Sequence, residues 1–302
     1  MDLKSRKYRG KNNTPIISEI CIMTSWLKLN VIKPLDKKSS FLFETTDAGL
    51  CSQFNQYLYA VLYAAKENVP LNVNDTSNAV SIRYPLIKST FAAPSEISFV
   101  DSQIVSATSL KKRVAQIRNF LNGVRPEELR DAAKAILPWN PSLLQKLAPI
   151  LDAKRFPGQF DVGVHIRAGD KITSGEMKNV PIEQYLRAVK AHQTKSGKKK
   201  LDVFVMSDSS LKLDEFIKKK DASWTVHTLV APSSMQGHVQ RDFNASSPGT
   251  RMNAYLNFVA ELFLMQQIEH VVCTFSSNVG RFLYLTSENE VVSVDDPKFF
   301  PY

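Results

Sequence analysis

The centre of the chain has the sequence Phe160-Asp-Val-Gly-Val-His-Ile-Arg-Ala-Gly-Asp-Lys171. Its first half alternates apolar and small residues and ends in β-branched Val164 and Ile166, which predicts a buried strand. Its second half gathers charged side chains around Gly169. A buried strand that runs directly into charged residues places them at the carboxyl edge of a sheet, where ligands bind in open α/β proteins. Arg167 is the first candidate, because its permanently charged, planar guanidinium matches a phosphate.

The sequence from this strand to the carboxyl terminus alternates predicted strands with predicted helices. The strands are 160–166, 201–206, 224–230, 271–275 and 291–294, and the helices are 181–194, 210–220, 251–268 and 277–287. Such alternation predicts a parallel sheet with helices on both faces. Neither a Gly-x-Gly-x-x-Gly fingerprint nor a Walker loop is present. We therefore predict a Rossmann-like nucleotide-binding domain over residues 156–302.

The amino-terminal half has a similar but less regular pattern. Strands are predicted at 41–45 and 70–74, helices at 54–67, 110–121, 126–137 and 142–151, and a strand or helix at 16–32. Residues 152–158 have the composition of a linker, so we place a first domain over residues 1–155. Gly49 lies in the turn between the first strand and its helix. Backbone amides in such a turn can approach an anion, although a plain left-handed turn would also require a glycine.

Composition limits the classes of function. The chain has 302 residues, which suits one large or two medium domains, and its formal net charge of +10 suits an anionic ligand. Much of the positive charge lies at the amino terminus and in Lys195–Lys200 and Lys218–Lys220, as on a solvated surface. No basic face is interleaved with aromatic residues, so nucleic-acid binding ranks low among the functions considered.

The cysteines and apolar segments exclude other classes. Cys21, Cys51 and Cys273 form no disulfide framework, and no cluster of His, Cys and Asp has the spacing of a metal site. No apolar run reaches membrane-spanning length, and the first residues lack the apolar core of a signal peptide. We expect a cytoplasmic protein, or one of the Golgi lumen if an amino-terminal anchor precedes this sequence.

Two segments carry a resemblance to a known family. Val164-His-Ile-Arg-Ala-Gly-Asp-Lys171 resembles the His-x-Arg-Arg-x-Asp-Lys motif of the core α-1,6-fucosyltransferases, with Ala168 in place of the second arginine. Cys273-Thr-Phe-Ser-Ser-Asn-Val-Gly-Arg281 resembles their Cys-Thr-Phe-Ser-Ser-Gln-Val-Cys-Arg segment. Ser293–Asp296 resembles their Ser-Leu-Asp-Asp segment. Weaker matches are Gly49–Gln56 to a Gly-x-Gly-x-Gln loop and Asp208 to a Thr-Asp-Asp site.

The resemblance implies an α/β protein of the GT-B type, with two Rossmann-like domains that face each other across a cleft. It implies transfer of fucose from GDP-fucose, with inversion, to a glycan or glycoconjugate acceptor. We expect neither a cofactor nor a divalent metal. We also expect neither a nucleic-acid partner nor a membrane-spanning segment. The donor would bind on the carboxyl-terminal domain, and the acceptor largely on the amino-terminal one.

The same resemblance assigns residues to the donor diphosphate and sugar. Ser276 and Ser277 follow a strand and open a helix, where free amides and the helix dipole favour phosphate, although serines there also serve as simple N-caps. Together with Arg167 they would hold the pyrophosphate of GDP. Gly49 and Gln53 would lie near the donor, and Asp208 is a further donor-binding candidate. Arg241 or Arg251 could supply a second phosphate-binding arginine.

Other residues are candidates for base recognition and proton transfer. A carboxylate at Glu261 could accept from both the N1 and N2 donors of guanine, and the alternative is a surface carboxylate. His165 would contact the base or the ribose, and the alternative is a packed core histidine. Glu176 is the candidate general base, with Lys171 as its partner, because an inverting transfer must remove the proton of the acceptor hydroxyl. A solvated loop glutamate is the alternative at position 176.

Two other functions remain open at this level. A non-catalytic protein that binds a GDP-sugar or a glycan would account for Ala168, Ser209 and the altered glycine loop. A transferase that uses another GDP-hexose would need the same diphosphate site.

Overall fold

A computed structural model describes residues 41–75, 80, 85–92, 97–99, 108–109, 114–232 and 234–301. The predicted element at 16–32 and Cys21 lie outside these residues. Within them, the chain forms two separate sheets in which every strand pairing is parallel. The predicted α/β class is therefore confirmed.

The first sheet lies in the amino-terminal half. Its strands are β1 (Phe41–Glu44), β2 (Leu71–Asn74), β3 (Ser98–Phe99) and β4 (Thr108–Ser109), in the order β3-β2-β1-β4. The helices of this half are α1 (Leu50–Glu67), α2 (Leu86–Thr90), α3 (Val114–Asn122), α4 (Pro126–Ile136) and α5 (Pro141–Asp152).

Helix α1 shows why this half folds as it does. Aromatic and aliphatic residues lie almost all round it, and twelve of its eighteen residues are buried. It begins at Leu50, four residues before the predicted start, and ends at Glu67, where the C-cap Asn68 has a left-handed conformation with φ 54°. Gly49 has φ −56°, so the alternative of a left-handed turn at this position is wrong.

The second sheet has the five strands that the alternating pattern predicts. They are β5 (Val162–Ile166), β6 (Leu201–Ser207), β7 (Trp224–His227), β8 (His270–Cys273) and β9 (Glu290–Ser293), in the order β7-β6-β5-β8-β9. The helices are α6 (Asp170–Thr173), α7 (Ile182–Ser196), α8 (Ser210–Lys219), α9 (Gln240–Ala245), α10 (Pro248–Gln267) and α11 (Asn278–Thr286). Strand order reverses between β5 and β8, which is where ligands bind in such sheets.

The two faces of β5 have different partners. Val164 is buried in a cluster that includes residues of α7 and α8. Gly163 faces α10, and a Cβ at this position would lie only 2.8 Å from the Met265 sulfur. Since side chains alternate along a strand, His165 lies on the same face as Gly163, towards α10.

Helices and aromatic side chains join the two halves of the chain. Helices α4 and α5 pack on α11 and α10, respectively. The Phe54 ring of α1 lies 5.0 Å from Phe91 and 5.6 Å from Phe282 of α11, and Trp139 stacks on Phe91. One core cluster therefore includes residues on both sides of position 155. The domain boundary at this position stays a prediction.

Candidate functional site

The carboxyl ends of β5 and β8 meet at the same edge of the second sheet. Gly163 pairs with Val271 and Val164 with Val272, so the same register places Arg167 level with Phe275. Neighbouring strands are about 4.8 Å apart. The segment after Arg167 therefore begins beside the Phe275–Ser277 turn.

Arg167 is fixed in place by two carboxylates. Its Nη2 donates to Asp170 Oδ1 at 3.0 Å, and its Nη1 donates to Asp208 Oδ2. Only 13% of the side chain is exposed. A guanidinium held in this way is pre-organised, and its remaining N–H groups can bind an anion without further ordering of the side chain.

Asp208 binds the chain's own donors with both oxygens. Its Oδ1 accepts from the Ala168 amide at 2.7 Å, and its Oδ2 accepts from the His238 amide at 3.0 Å as well as from Arg167. These bonds tie the ends of β5 and β6 to the segment around His238. The contacts make Asp208 a positioning residue, and its direct contact with a donor stays a prediction.

Two glycines allow the backbone around Arg167 to pack this closely. Gly169 has φ 76° and ψ −148°, a conformation that is essentially restricted to glycine, and a Cβ there would lie 2.2 Å from the His238 carbonyl oxygen. Gly237 has φ 107° and approaches Gly169 in turn. The Asp170 amide donates to His238 O at 3.1 Å, and the Gln240 amide donates to Asp170 Oδ2 at 2.9 Å.

Lys171 and Glu176 form the predicted pair. Lys171 Nζ lies 2.6 Å from Glu176 Oε2, and Ser174 Oγ donates to Oε1 at 3.2 Å. The hydrogen bond from Lys171 lowers the pKa of Glu176 below its usual range. The carboxylate is therefore ionised and able to take a proton. It is 58% exposed, so a bound acceptor could reach it.

The turn that carries Ser276 and Ser277 differs from the expectation of free amides. The amides of Phe275 and Ser276 donate to Asp295 at 2.9 and 3.2 Å, and Ser276 Oγ also bonds to Asp295. Ser277 is the N-cap of α11 and accepts from the Val279 amide at 3.3 Å. A carboxylate of the same chain thus already occupies part of the expected anion site.

Asp295 was missed as a site residue, although it lies in the Ser293–Asp296 segment that resembles the family. Burial opposes its ionisation, but hydrogen bonds from Ser276, Ser293 and two amides outweigh burial and lower its pKa. It therefore carries a negative charge beside the position proposed for a diphosphate.

Glu261 is buried and incompletely bonded. Only 8% of the residue is exposed, the Val230 amide bonds to it, and its Oε1 has no partner among the residues that the structure describes. Burial raises the pKa of Glu261 to about 8. The alternative of a surface carboxylate is therefore wrong.

His165, like Glu261, is buried and incompletely hydrogen-bonded. It is buried on β5, its Nδ1 has no partner within the described ranges, and burial lowers its pKa to about 4. The imidazole is therefore neutral at physiological pH. Its free nitrogen and the free Glu261 oxygen are both unused polar groups on the α10 side of the sheet.

The Gly49 loop contacts the opposite half of the chain. A Cβ at Gly49 would lie 3.4 Å from Gln240 Oε1, and Asn244 Nδ2 donates to the Asp47 carbonyl at 3.2 Å. Because the Gln240 amide binds Asp170, Gly49 is connected to the Arg167 site through two residues. Gln53 is fully buried and bonds to the amide and hydroxyl of Thr46 at 2.9 Å each, so it shapes this loop.

The two other candidate arginines differ in their surroundings. Arg241 is 90% exposed and pairs with Asp242 at 3.5 Å. Arg251 donates to the Asn244 carbonyl at 2.8 Å and so connects α9 to α10. Neither contact selects one of them as a phosphate ligand.

Residues 135–296 match the alpha-(1,6)-fucosyltransferase N- and catalytic domains. This match covers more than half of the chain and includes every candidate residue from His165 to Ser277. The chain belongs to the alpha-(1,6)-fucosyltransferase family. No curated protein sequence is significantly similar to it.

Solved structures support the fold. The chain resembles fucosyltransferase NodZ from Bradyrhizobium with a TM-score of 0.55 and 12% identity over 87% of this chain and 97% of that one. It resembles NodZ alpha-1,6-fucosyltransferase soaked with GDP-fucose with a TM-score of 0.54 and 12% identity over 83% and 93% of the two chains. The predicted GT-B fold is confirmed. Among the described residues, every helix is too short or too polar to cross a bilayer.

A cavity of about 190 Å³ lies beside the start of α11. Polar side chains from both halves line it, among them Ser52, Asn55, Asn278 and Arg281. Asn55 Nδ2 donates to the Asn278 carbonyl at 3.0 Å, while its Oδ1 has no partner in the described part of the chain. Such a lining offers hydrogen-bond donors and acceptors to a polar ligand.

Spacing in the sequence predicts no metal site, yet the fold brings three possible ligands together. His192, His270 and Glu290 each offer a ligand atom, and these atoms all lie within 4.8 Å of one another. These residues are far apart in sequence, so their spacing along the chain does not reveal the group, and the expectation of no metal stays a prediction. This group lies away from Arg167.

Proposed function

We propose that this enzyme transfers fucose from GDP-fucose to a hydroxyl group of a glycan, with inversion and without a divalent metal. The observation that carries the proposal is Arg167, fixed by Asp170 and Asp208 at the switch point of the second sheet. NodZ, which shares the fold, has crystal structures that were obtained by soaking with GDP-fucose and by co-crystallisation with GDP.

Arg167 would act on the leaving group. When the bond between the anomeric carbon and the β-phosphate oxygen breaks, its electron pair stays on GDP and negative charge grows there. A fixed guanidinium stabilises that charge more in the transition state than in the ground state. Asp295 is negatively charged and lies close by, so it repels the diphosphate. Binding of the diphosphate would therefore depend more strongly on Arg167 than in a site with free amides.

Glu176 would act on the acceptor. Its ionised carboxylate would take the proton of the attacking hydroxyl, whose oxygen forms the new bond on the face opposite to the departing GDP. Lys171, at 2.6 Å, would hold the carboxylate in place and stabilise it before the proton arrives. The polar cavity beside α11 would bind the acceptor sugar at the amino-terminal half.

Glu261 and His165 would recognise the base. The Glu261 oxygen and the His165 nitrogen are buried and have no partner among the described residues, and such groups are costly unless a ligand satisfies them. Guanine offers two donors to a carboxylate. Adenine does not offer this pair, so the site would select GDP over ADP.

Transfer and hydrolysis of GDP-fucose and GDP-mannose against a panel of glycans, with and without a chelator, test the proposal. We expect transfer from GDP-fucose in the chelator, with a product of anomeric configuration opposite to that of the donor. A preference for GDP-mannose would change the donor assignment. Loss of transfer in the chelator by protein that stays folded would contradict the metal-free mechanism.

A specific observation favours one other function. The Asp295 carboxylate already occupies the Phe275 and Ser276 amides, and Ala168 stands where the family has a second arginine. A non-catalytic GDP-sugar-binding protein would tolerate both features. Tight GDP-fucose binding, with neither transfer nor hydrolysis over the whole panel, would support this function instead.

A further inference from the structure

We propose that His192, His270 and Glu290 form a binding site for a transition-metal ion of the Zn²⁺ type. Two imidazoles and a carboxylate are a frequent ligand set for zinc, with water completing the coordination. Their ligand atoms lie within 4.8 Å of one another, although the residues come from α7, β8 and β9.

The site lies on the edge of the sheet opposite to Arg167. His270 and Glu290 are the first residues of β8 and β9 and pair directly, whereas Arg167 follows the last residue of β5. His192 lies in the second half of α7, just before the chain returns to the start of β6. An ion here would therefore not contact the reacting groups.

The imidazoles are placed to bind a metal together. Their ring centroids are 4.1 Å apart with an angle of 24° between the planes. His192 Nδ1 is buried without a hydrogen-bond partner in the described ranges.

Small side-chain rotations would complete the site. His270 Nδ1 now lies 3.0 Å from Glu290 Oε2, and Lys195 Nζ lies 3.6 Å from the same oxygen. Zinc binds nitrogen and oxygen ligands at about 2.0–2.2 Å, so its ligand atoms must come closer together than 4.8 Å. Glu290 is 52% exposed and Lys195 is 75% exposed, so the carboxylate can turn and the ammonium can leave.

Such an ion would link helix α7 to strands β8 and β9. Binding to the folded state alone raises the stability of that state. Mg²⁺ and Ca²⁺ prefer oxygen ligands and should not bind to two imidazoles. The inference does not depend on the transferase proposal, because it concerns stability and not the reaction.

Chelator-treated protein is titrated with Zn²⁺ by calorimetry and by thermal unfolding, with Mg²⁺ in parallel. We expect binding of one Zn²⁺ and a higher melting temperature, with no effect of Mg²⁺. His192→Gln, His270→Gln and Glu290→Gln should each weaken Zn²⁺ binding by more than about tenfold, the lower end of what even outer-shell changes cost. The matched control is His227→Gln, whose histidine lies 2.8 Å from Asp202. It should bind Zn²⁺ as the unaltered protein does.

Two results would overturn the proposal. One is the absence of a Zn²⁺-dependent shift, and the other is equal Zn²⁺ affinity in the unaltered protein and in His192→Gln and Glu290→Gln. These two variants decide the matter if His270→Gln fails to fold, because their side chains are less buried. Transfer activity that is the same with and without Zn²⁺ separates this site from the catalytic one.

Discussion

At the scale of single residues, Arg167 shows how the site is assembled. A guanidinium that lies 13% exposed against two carboxylates has little freedom left. The partners Asp170 and Asp208 also bind the amides of Gln240, Ala168 and His238, so the same charges that hold Arg167 also hold the backbone around it. The site is a network in which few members can change alone.

Glu176→Gln should lower kcat by about 10²–10⁴-fold, the usual contribution of a general base. KM for GDP-fucose should change little, because the diphosphate contacts remain. Steady-state kinetics measure both. The matched control is Glu183→Gln, since Glu183 is also paired with a lysine, Lys219, on the surface. Equal losses in both variants, or an unchanged rate in Glu176→Gln, would remove Glu176 as the base.

Glu261 should make stability depend on pH. Its pKa is about 8 in the folded protein and 4.5 in an unperturbed glutamate. Between these values the folded state binds more protons than the unfolded state, so the free energy of unfolding falls as pH rises from about 4.5 to about 8. Glu261→Gln should flatten this decline, measured by denaturant unfolding across the range. A decline of the same slope in the variant would contradict the assignment.

The stabilisation of the protein by GDP should also depend on Glu261, and it should increase as the pH rises. Guanine binds the ionised carboxylate, so GDP should raise the melting temperature more at about pH 8 than at about pH 6. In Glu261→Gln, the GDP-induced shift should be smaller and nearly independent of pH. A pH-independent shift in the unaltered protein would show that guanine does not bind to Glu261.

At the scale of elements, the segment from Arg167 to α6 depends on a glycine. Gly169→Ala should destabilise the protein by more than the roughly 1–3 kcal/mol that strained backbone alone costs, because the new Cβ meets the His238 carbonyl. It should also abolish most of the transfer activity. Gly197→Ala is the matched control, since Gly197 has φ 68° but no atom of the described residues within 4 Å of its Cβ position. Denaturant unfolding and transfer rates compare the two variants.

The sequence pattern predicted a strand or helix well where each of its faces contacts either the core or solvent throughout. The strand around Val164, the alternation that follows it and the serine-capped start of α11 all appear as expected. The start of α1 was misplaced, because the periodic apolar residues from Phe54 were taken as its first turn. Leu50 and Cys51 belong to the helix as well, and Cys51 is buried by contacts that periodicity does not show.

At the scale of the whole molecule, the limits of prediction follow from distance along the chain. Lys171 and Glu176 are close in sequence, and their pairing was predicted. The bonds from Asp208 to Arg167 and from Asp295 to Phe275 join residues from different strand ends. They depend on which parallel strands are neighbours, and periodicity does not specify this. The His192–His270–Glu290 group was missed for the same reason.

The family match and the fold leave one claim on which the account depends: Arg167 stabilises the departing GDP. Transfer from GDP-fucose by Arg167→Ala measures it directly, with Arg187→Ala, an exposed arginine of α7, as control. We expect Arg167→Ala to lose at least about 10²–10³-fold in kcat, with an unchanged circular dichroism spectrum, and Arg187→Ala to keep its full rate. Near-normal turnover in a folded Arg167→Ala variant would contradict the account.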